Sequence, residues 1–266
     1  MTSATITWVG HATLLIEVGD YRIITDPALT SRLAHLRRRS RPVPHVGEVD
    51  ALLLSHIHMD HLHLPSLRRI APTDRVLVPA GARSLLPTFR RRSPSGSTTV
   101  VTPTVVDVRA GDRVSLVDGD VAVTVEVVHA EHSSRRGPQS RVVAEPVGYV
   151  VRIGSASLYF AGDTDLFAAM RDLERIDLAF IPIWGWGPSL GEKHLDPVSA
   201  ATATHWIDPR QVVPIHWGTY SPMRARRGDP PWLERPIGAF RDALGDLSLS
   251  DRMCLVEPGG SVTIEV

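Results

Sequence analysis

A chain of 266 residues, 43% hydrophobic and 22% charged, is long enough to bury a full core, and its ordinary globular composition excludes a disordered or low-complexity class. A formal net charge of +0 and a pI near 7.2 supply no global field for nucleic acid or an anionic membrane surface. Cys254 is the only cysteine, which excludes an intrachain disulfide and a thiolate metal site.

In chain order, TITWVGHATLLIEVGDYRIITDP opens with strand-like runs at Ile6–Val9, Leu14–Val18 and Tyr21–Thr25, with Gly19-Asp20 as a tight turn between the last two. The N-terminus shows no basic n-region, long apolar h-region or cleavage site. No apolar run approaches the roughly 18 residues of a transmembrane segment, so the expected location is cytoplasmic. Residues 27–48 read as irregular, rich in Arg and Pro. DALLLS (50–55) is a short continuous apolar run, as for a buried strand. PSLRRIA then reads as a short helix, RVLVP (75–79) as a strand and GARSLLPTF as a helix. Strands are expected over 98–101, 104–108, 113–117 and 121–128, before a polar loop at 133–146. VGYVVRIG and ASLYFAGD make a hairpin, a helix runs from Leu166 to Leu173, and DLAFIPI (177–183) is a strand. In HLDPVSAATATHWI, Asp196 suits an N-cap and Pro197 the first helical position. QVVPI is a strand, a Pro/Trp-rich loop follows, and a helix around Leu233–Leu244 with two closing strands ends the chain. No linker, repeat or low-complexity stretch interrupts this order. It is accommodated by one domain, 1–266, of two sheets packed face to face with helices outside.

Chemistry concentrates in SHIHMDHLHL, residues 55–64. Extended backbone sends residues i and i+2 to one side, so His56 and His58 could grip one metal together. Asp60 and His61 follow where the chain must turn and could face a second metal close by. Imidazole and carboxylate suit zinc, iron or manganese. His63 falls outside that spacing and reads as surface at the start of the next helix.

The pattern His-x-His-x-Asp-His after a buried strand resembles the metallo-β-lactamase-fold hydrolase superfamily, and the resemblance spans nearly the whole chain. GHATLLIEV…IITDP, HLDP and PIHWGTY look most similar to the branch holding ascorbate-6-phosphate lactonase-like and N-acyl-phosphatidylethanolamine phospholipase D-like proteins. The resemblance implies an α/β, four-layer αββα sandwich with metals at one sheet edge. It implies two divalent cations, expected to be Zn2+ with Mn2+ or Fe as alternatives. The first would be held by His56, His58 and His132, the second by Asp60, His61 and His216, with Asp163 bridging. His132 is preferred to His129, which lies within a strand. Asp26, ending IITDP, would orient a ligand histidine, and His194 would sit near the substrate. With Asp60 these are the residues expected to serve catalysis directly. His11 in GHAT fits the family pattern with no assignable role. His35, His45 and His205 read as structural.

Two divalent cations, two carboxylates and a shared hydroxide would leave one net positive charge, which favours an anionic small-molecule substrate. The expected activity is metal-dependent hydrolysis of an ester, lactone or phosphodiester in an anionic or lipid-like molecule. Rival readings are a metal-dependent nuclease and a non-hydrolytic di-iron redox protein. The first usually carries an RNA-binding arm that this sequence lacks, and no nucleic acid partner is expected. The second generally resembles a fusion to a flavin domain, for which there is no room here. A homo-oligomer is compatible with the sequence, though no stretch marks an interface. Trp184, Trp186, Trp217, Tyr220 and Trp232 are candidates for core packing or an acyl pocket. The arginine runs at 32–41, 89–93, 133–141 and 224–227 read as solvated loops or an anion-binding rim.

Overall fold

Apolar runs that alternate or run unbroken set the strands. The computed structural model describes residues 3–39, 46–92, 96–137, 139–185, 187–223 and 230–266. His45, Trp186, the 224–227 arginine run and parts of the three other arginine runs lie outside these. The chain opens with an antiparallel meander of β1 (Ser3–Gly10), β2 (Thr13–Val18) and β3 (Tyr21–Thr25). Within the stretch read as irregular, two short strands form, β4 (Arg32–Leu33) and β5 (Leu36–Arg38). Then come β6 (Ala51–Leu53), a one-turn helix α1 (Leu64–Leu67) and β7 (Arg75–Pro79).

The helix expected over 81–89 is instead a 3₁₀ turn, Arg83–Leu85, followed by β8 (Phe89–Arg92). Pro87 is the cause: it drives Leu86 into extended backbone at ψ 139° and stops the helix. Next come β9 (Thr98–Val101), β10 (Thr104–Val108), β11 (Arg113–Val117), β12 (Val123–His129), β13 (Val147–Ile153) and β14 (Ala156–Phe160). The helix expected from Leu166 to Leu173 is a 3₁₀ segment, Ala168–Asp172. β15 (Leu178–Pro182), α2 (Pro197–Ile207), β16 (Gln211–Ile215), β17 (Tyr220–Pro222), α3 (Arg235–Asp246) and β18 (Ser261–Glu265) complete the order. Asp196 caps α2 in a reciprocal box with Ser199, as its sequence predicts. Of two closing strands expected, β18 forms; Met253 makes only an isolated bridge to Val212.

The strands assemble into a seven-stranded sheet, β10-β7-β6-β3-β2-β1-β18, and a six-stranded sheet, β11-β12-β13-β14-β15-β16. Their facing sides share one core that contains Trp8, Tyr149, Phe160 and Phe180. Outside the second sheet, α2 packs against β15 and α3. Outside the first, a thinner layer puts Leu62, Leu67 and Ile70 over Leu52, Leu54, Val76 and Val78. The result is the αββα order, with its N-terminal helical layer reduced to α1 and loops. Strands β3, β6, β7 and β10 run parallel, as do β14, β15 and β16. Parallel strands deliver their carboxyl ends to one edge, and in open α/β sheets that edge is where ligands sit.

Candidate metal centre

The sheet edge collects one chemical group after another. Asp26 follows β3, Ser55 and His56 follow β6, Asp163 follows β14, and His216 follows β16. His132 stands just beyond β12. His56, His58 and His132 bring ligand atoms within 4.8 Å of one another, and so do His11, Asp60, His61 and His216. Asp163 touches both groups: its oxygens lie 3.2 Å from His61 Nε2 and 3.3 Å from His216 Nε2, and it shares a further cluster, within 4.8 Å, with His132 and His194. His194 Nε2 stands 3.6 Å from Asp163. His129 lies outside the cluster, exposed, with its ring edge against Phe167 and its Nε2 3.5 Å from Glu131.

Four of the rings are turned by a hydrogen bond on their far side. His61 Nδ1 donates to Asp26 at 2.7 Å, His132 Nδ1 to the Lys193 carbonyl at 2.7 Å, and His216 Nδ1 to the Trp184 carbonyl at 2.7 Å. Ser55 Oγ accepts from His56 Nδ1 at 2.9 Å and donates to Asp26. These bonds fix the tautomers and leave the opposite nitrogens as lone pairs aimed inward. The consequence is electrostatic crowding: His132 Nε2 faces His58 Nδ1 at 3.0 Å, and His61 Nε2 faces His216 Nε2 at 3.2 Å. Nitrogens bound to a tetrahedral zinc at about 2.0–2.1 Å stand about 3.3 Å apart, so these spacings suit cation ligands. His56 Nε2 is buried without a hydrogen-bond partner among the described residues, a costly state that a cation would relieve. The donor set therefore fits divalent metal ions.

Backbone strain concentrates here as well. Among the described residues, seven non-glycine positions have positive φ, and His11, Asp26, His216 and Lys193 either belong to the cluster or support one of its rings. Gly162, at φ +62°, precedes Asp163, and an ideal Cβ there would lie 2.6 Å from the Ser55 Cβ. Gly162→Ala is expected to cost about 2–4 kcal/mol, since it adds left-handed strain to a clash against the buried Ser55 side chain. Chemical unfolding of the metal-free protein checks this.

Burial pushes His132 down to about 4 and His216 down to about 3. Burial, reinforced by the neighbouring His61, also holds His56 well below the usual imidazole range. Burial opposes a charge on His61, but Asp163 and Asp60 outweigh it and raise its pKa well above the ordinary value. Burial likewise opposes charge on the two carboxylates. It is outweighed by His61 and His11 at Asp60, and by His216 and His61 at Asp163, so both stay well below the carboxylate range. A histidine whose folded pKa is depressed costs stability as pH falls, because the unfolded chain binds the proton first. Chelator-treated protein is therefore expected to lose stability from about pH 6.5 down to about pH 4; the raised pKa of His61 adds stability that is already complete below about pH 6.5 and fades only at higher pH. Thermal melts across that range, with and without added metal, measure the effect.

The family profile of the β-lactamase superfamily domain matches residues 21–217. The chain belongs to the β-lactamase superfamily. It is a metal-dependent hydrolase by kinship: a UPF0173 metal-dependent hydrolase of Thermococcus onnurineus is 30% identical over 88% of this chain and 92% of the relative. N-acyl-phosphatidylethanolamine-hydrolyzing phospholipase D 1 of Caenorhabditis elegans is 28% identical over 80% of this chain, which spans 64% of that longer protein. Igni18, a metallo hydrolase from Ignicoccus hospitalis, shares the fold at a TM-score of 0.70 and 22% identity, covering 99% of both chains.

In this hydrolase a cleft of about 730 Å³ opens over the cluster, onto His58, Asp60, Asp163, His194 and His216. Its remaining wall is largely aliphatic, including Leu33, Leu36, Met59, Leu64, Pro65 and Leu190. Of the aromatic residues considered as core packing or an acyl pocket, none of the described ones lines this cleft. Trp217 is buried against Trp8, and the Tyr220 hydroxyl donates to the Ala28 carbonyl inside the molecule. Trp184 donates to the Gly187 carbonyl. Met59 was not anticipated: it projects 61% exposed between His58 and Asp60, and an apolar residue between two polar ones was its sequence signal. His63 is also corrected from surface to buried, with its Nδ1 2.8 Å from Ser66 Oγ. Among the arginine runs, Arg136 reaches the cleft while donating to the Ile57 and Leu62 carbonyls, which clamps the His56–His61 loop. No described helix is long and apolar enough to cross a membrane.

Proposed function

We propose that the chain hydrolyses an ester, lactone or phosphodiester bond in an amphiphilic, anionic small molecule with two divalent cations, zinc by preference. His56, His58 and His132 would hold one cation, and Asp60, His61 and His216 the other, with Asp163 shared. When bound, the pair supplies Lewis-acid polarisation of the scissile group and water activation at neutral pH. The observation that carries this reading is the pair of inward-facing nitrogen contacts beside a buried carboxylate. His194 keeps Nδ1 engaged with the Glu192 carbonyl at 2.9 Å, so its Nε2 points to the side facing Asp163 and the cleft. From there it would hydrogen-bond a developing oxyanion or give a proton to the leaving group.

The aliphatic wall supports an alkyl or acyl portion in the substrate, beside the charged end that the cations attract. Turnover of p-nitrophenyl esters should rise about two- to fourfold per methylene until the cleft is filled. The deciding experiment is metal titration followed by activity on ester, lactone and phosphodiester panels. Uptake of two cations with chelator-reversible hydrolysis supports the reading. A fully loaded protein inert on all three classes overturns it.

A further inference from the structure

His11 stands at the corner between β1 and β2, at φ 58° and 2% exposed. Its backbone is fixed on three sides. The N–H donates to Thr219 Oγ1 at 2.7 Å, and the carbonyl accepts from Trp8 Nε1 at 2.9 Å and from the His216 N–H at 3.1 Å. Gly10 beside it, at φ +126°, lies so close to Thr219 that an ideal Cβ would come within 2.8 Å of Cγ2. The corner is thus seated against the segment that carries His216. The His11 ring lies 3.9 Å from the His216 ring and meets Tyr220 edge-on. From that rigid mount, Nε2 reaches Asp60 Oδ2 at 3.0 Å.

That oxygen matters because it is the one nearest the rest of the group, 3.7 Å from His61 Nε2 and 3.9 Å from His216 Nε2. Asp60 sits on the loop at the cleft, next to exposed Met59. Among the described residues, His11 makes its only side-chain hydrogen bond. His56, His61, His132 and His216 each have an outer partner that sets their orientation. We propose that His11 is a positioning residue that does the same for Asp60: its Nε2–H donates to Oδ2 and holds the carboxylate toward His61 and His216. An ionised carboxylate oxygen accepts more than one partner, so one lone pair can meet the donor while another meets a cation. The inference rests on the two-cation reading.

The substitutions H11Q and H11N separate this role from simple packing. Gln carries an N–H near the place of imidazole Nε2, whereas Asn is too short to reach Asp60. The backbone preference runs the other way, since Asn tolerates positive φ better than Gln. Zinc or cobalt affinity, read by competition with a chelating dye and by cobalt absorption, is measured beside thermal melting in chelator. H11N should bind the second cation about 10–100-fold more weakly, and H11Q should stay near the parent, even if H11N melts at the higher temperature. Equal uptake by all three proteins, equal losses in both variants, or loss in H11Q alone overturns the proposal. A parent chain that takes up no cation overturns the reading beneath it instead.

Discussion

Replacing Asp163 with Asn is expected to lower turnover by about 10²–10⁴-fold and to reduce cation uptake from the proposed pair to one. The side chain is 3% exposed; its oxygens reach His61 and His216 of one ligand set, and a ligand atom of Asp163 lies within 4.8 Å of that of His132 in the other. The amide preserves shape but carries one oxygen and no charge, so it cannot serve both sides. Because the group faces the reacting atoms rather than the aliphatic wall, kcat should fall while KM moves little. Elemental analysis of the folded variant, paired with steady-state kinetics, measures both. Normal uptake with near-parent turnover would remove Asp163 from the centre.

Replacing Asp26 with Ala should act on the fold first. Its carboxylate is fully buried and accepts three hydrogen bonds, from the Ser55 N–H at 2.8 Å, from Ser55 Oγ and from His61 Nδ1 at 2.7 Å. Truncation strands all three donors away from water. The expected loss is about 3–5 kcal/mol, near the upper range for single substitutions. His61 would also lose the partner that sets its tautomer, so cation affinity should fall about 10–100-fold in the protein that still folds. Denaturant unfolding in chelator isolates the first effect, and dye competition the second. A variant with parent-like stability would show that water or a neighbour replaces the carboxylate without cost.

The centre was legible in the sequence wherever its logic was local. His56, His58, Asp60 and His61 fall within six residues; alternation along extended backbone pairs His56 with His58, and the turn that must follow brings in Asp60 and His61. Asp163 and His216 stand just past apolar strands, but it was the resemblance to the family that marked them as ligands; alone, His216 would read as a buried structural histidine. His11 could not be read because its partner lies 49 residues away and its meaning is a contact, not a spacing. The cleft wall was left open for a related reason. Aromatic residues beside polar motifs suggested a lining, but Trp217 and Tyr220 turned inward, and aliphatic residues from the β4–β5 region and the metal loop took the surface. The helix over 81–89 failed on a signal that was present, Pro87, whose restriction of Leu86 outweighed the helical pattern.

The carbonyls of Trp184 and Lys193 each hold one ring of the cluster, His216 and His132 respectively. The stretch between them supplies Leu190, Gly191 and neighbouring parts of the cleft. That bank is moored at both ends, so displacing either end would release one imidazole. New specificities in this lineage should therefore arise through side-chain exchange or insertion between the two moorings, with the anchoring peptides left where they are.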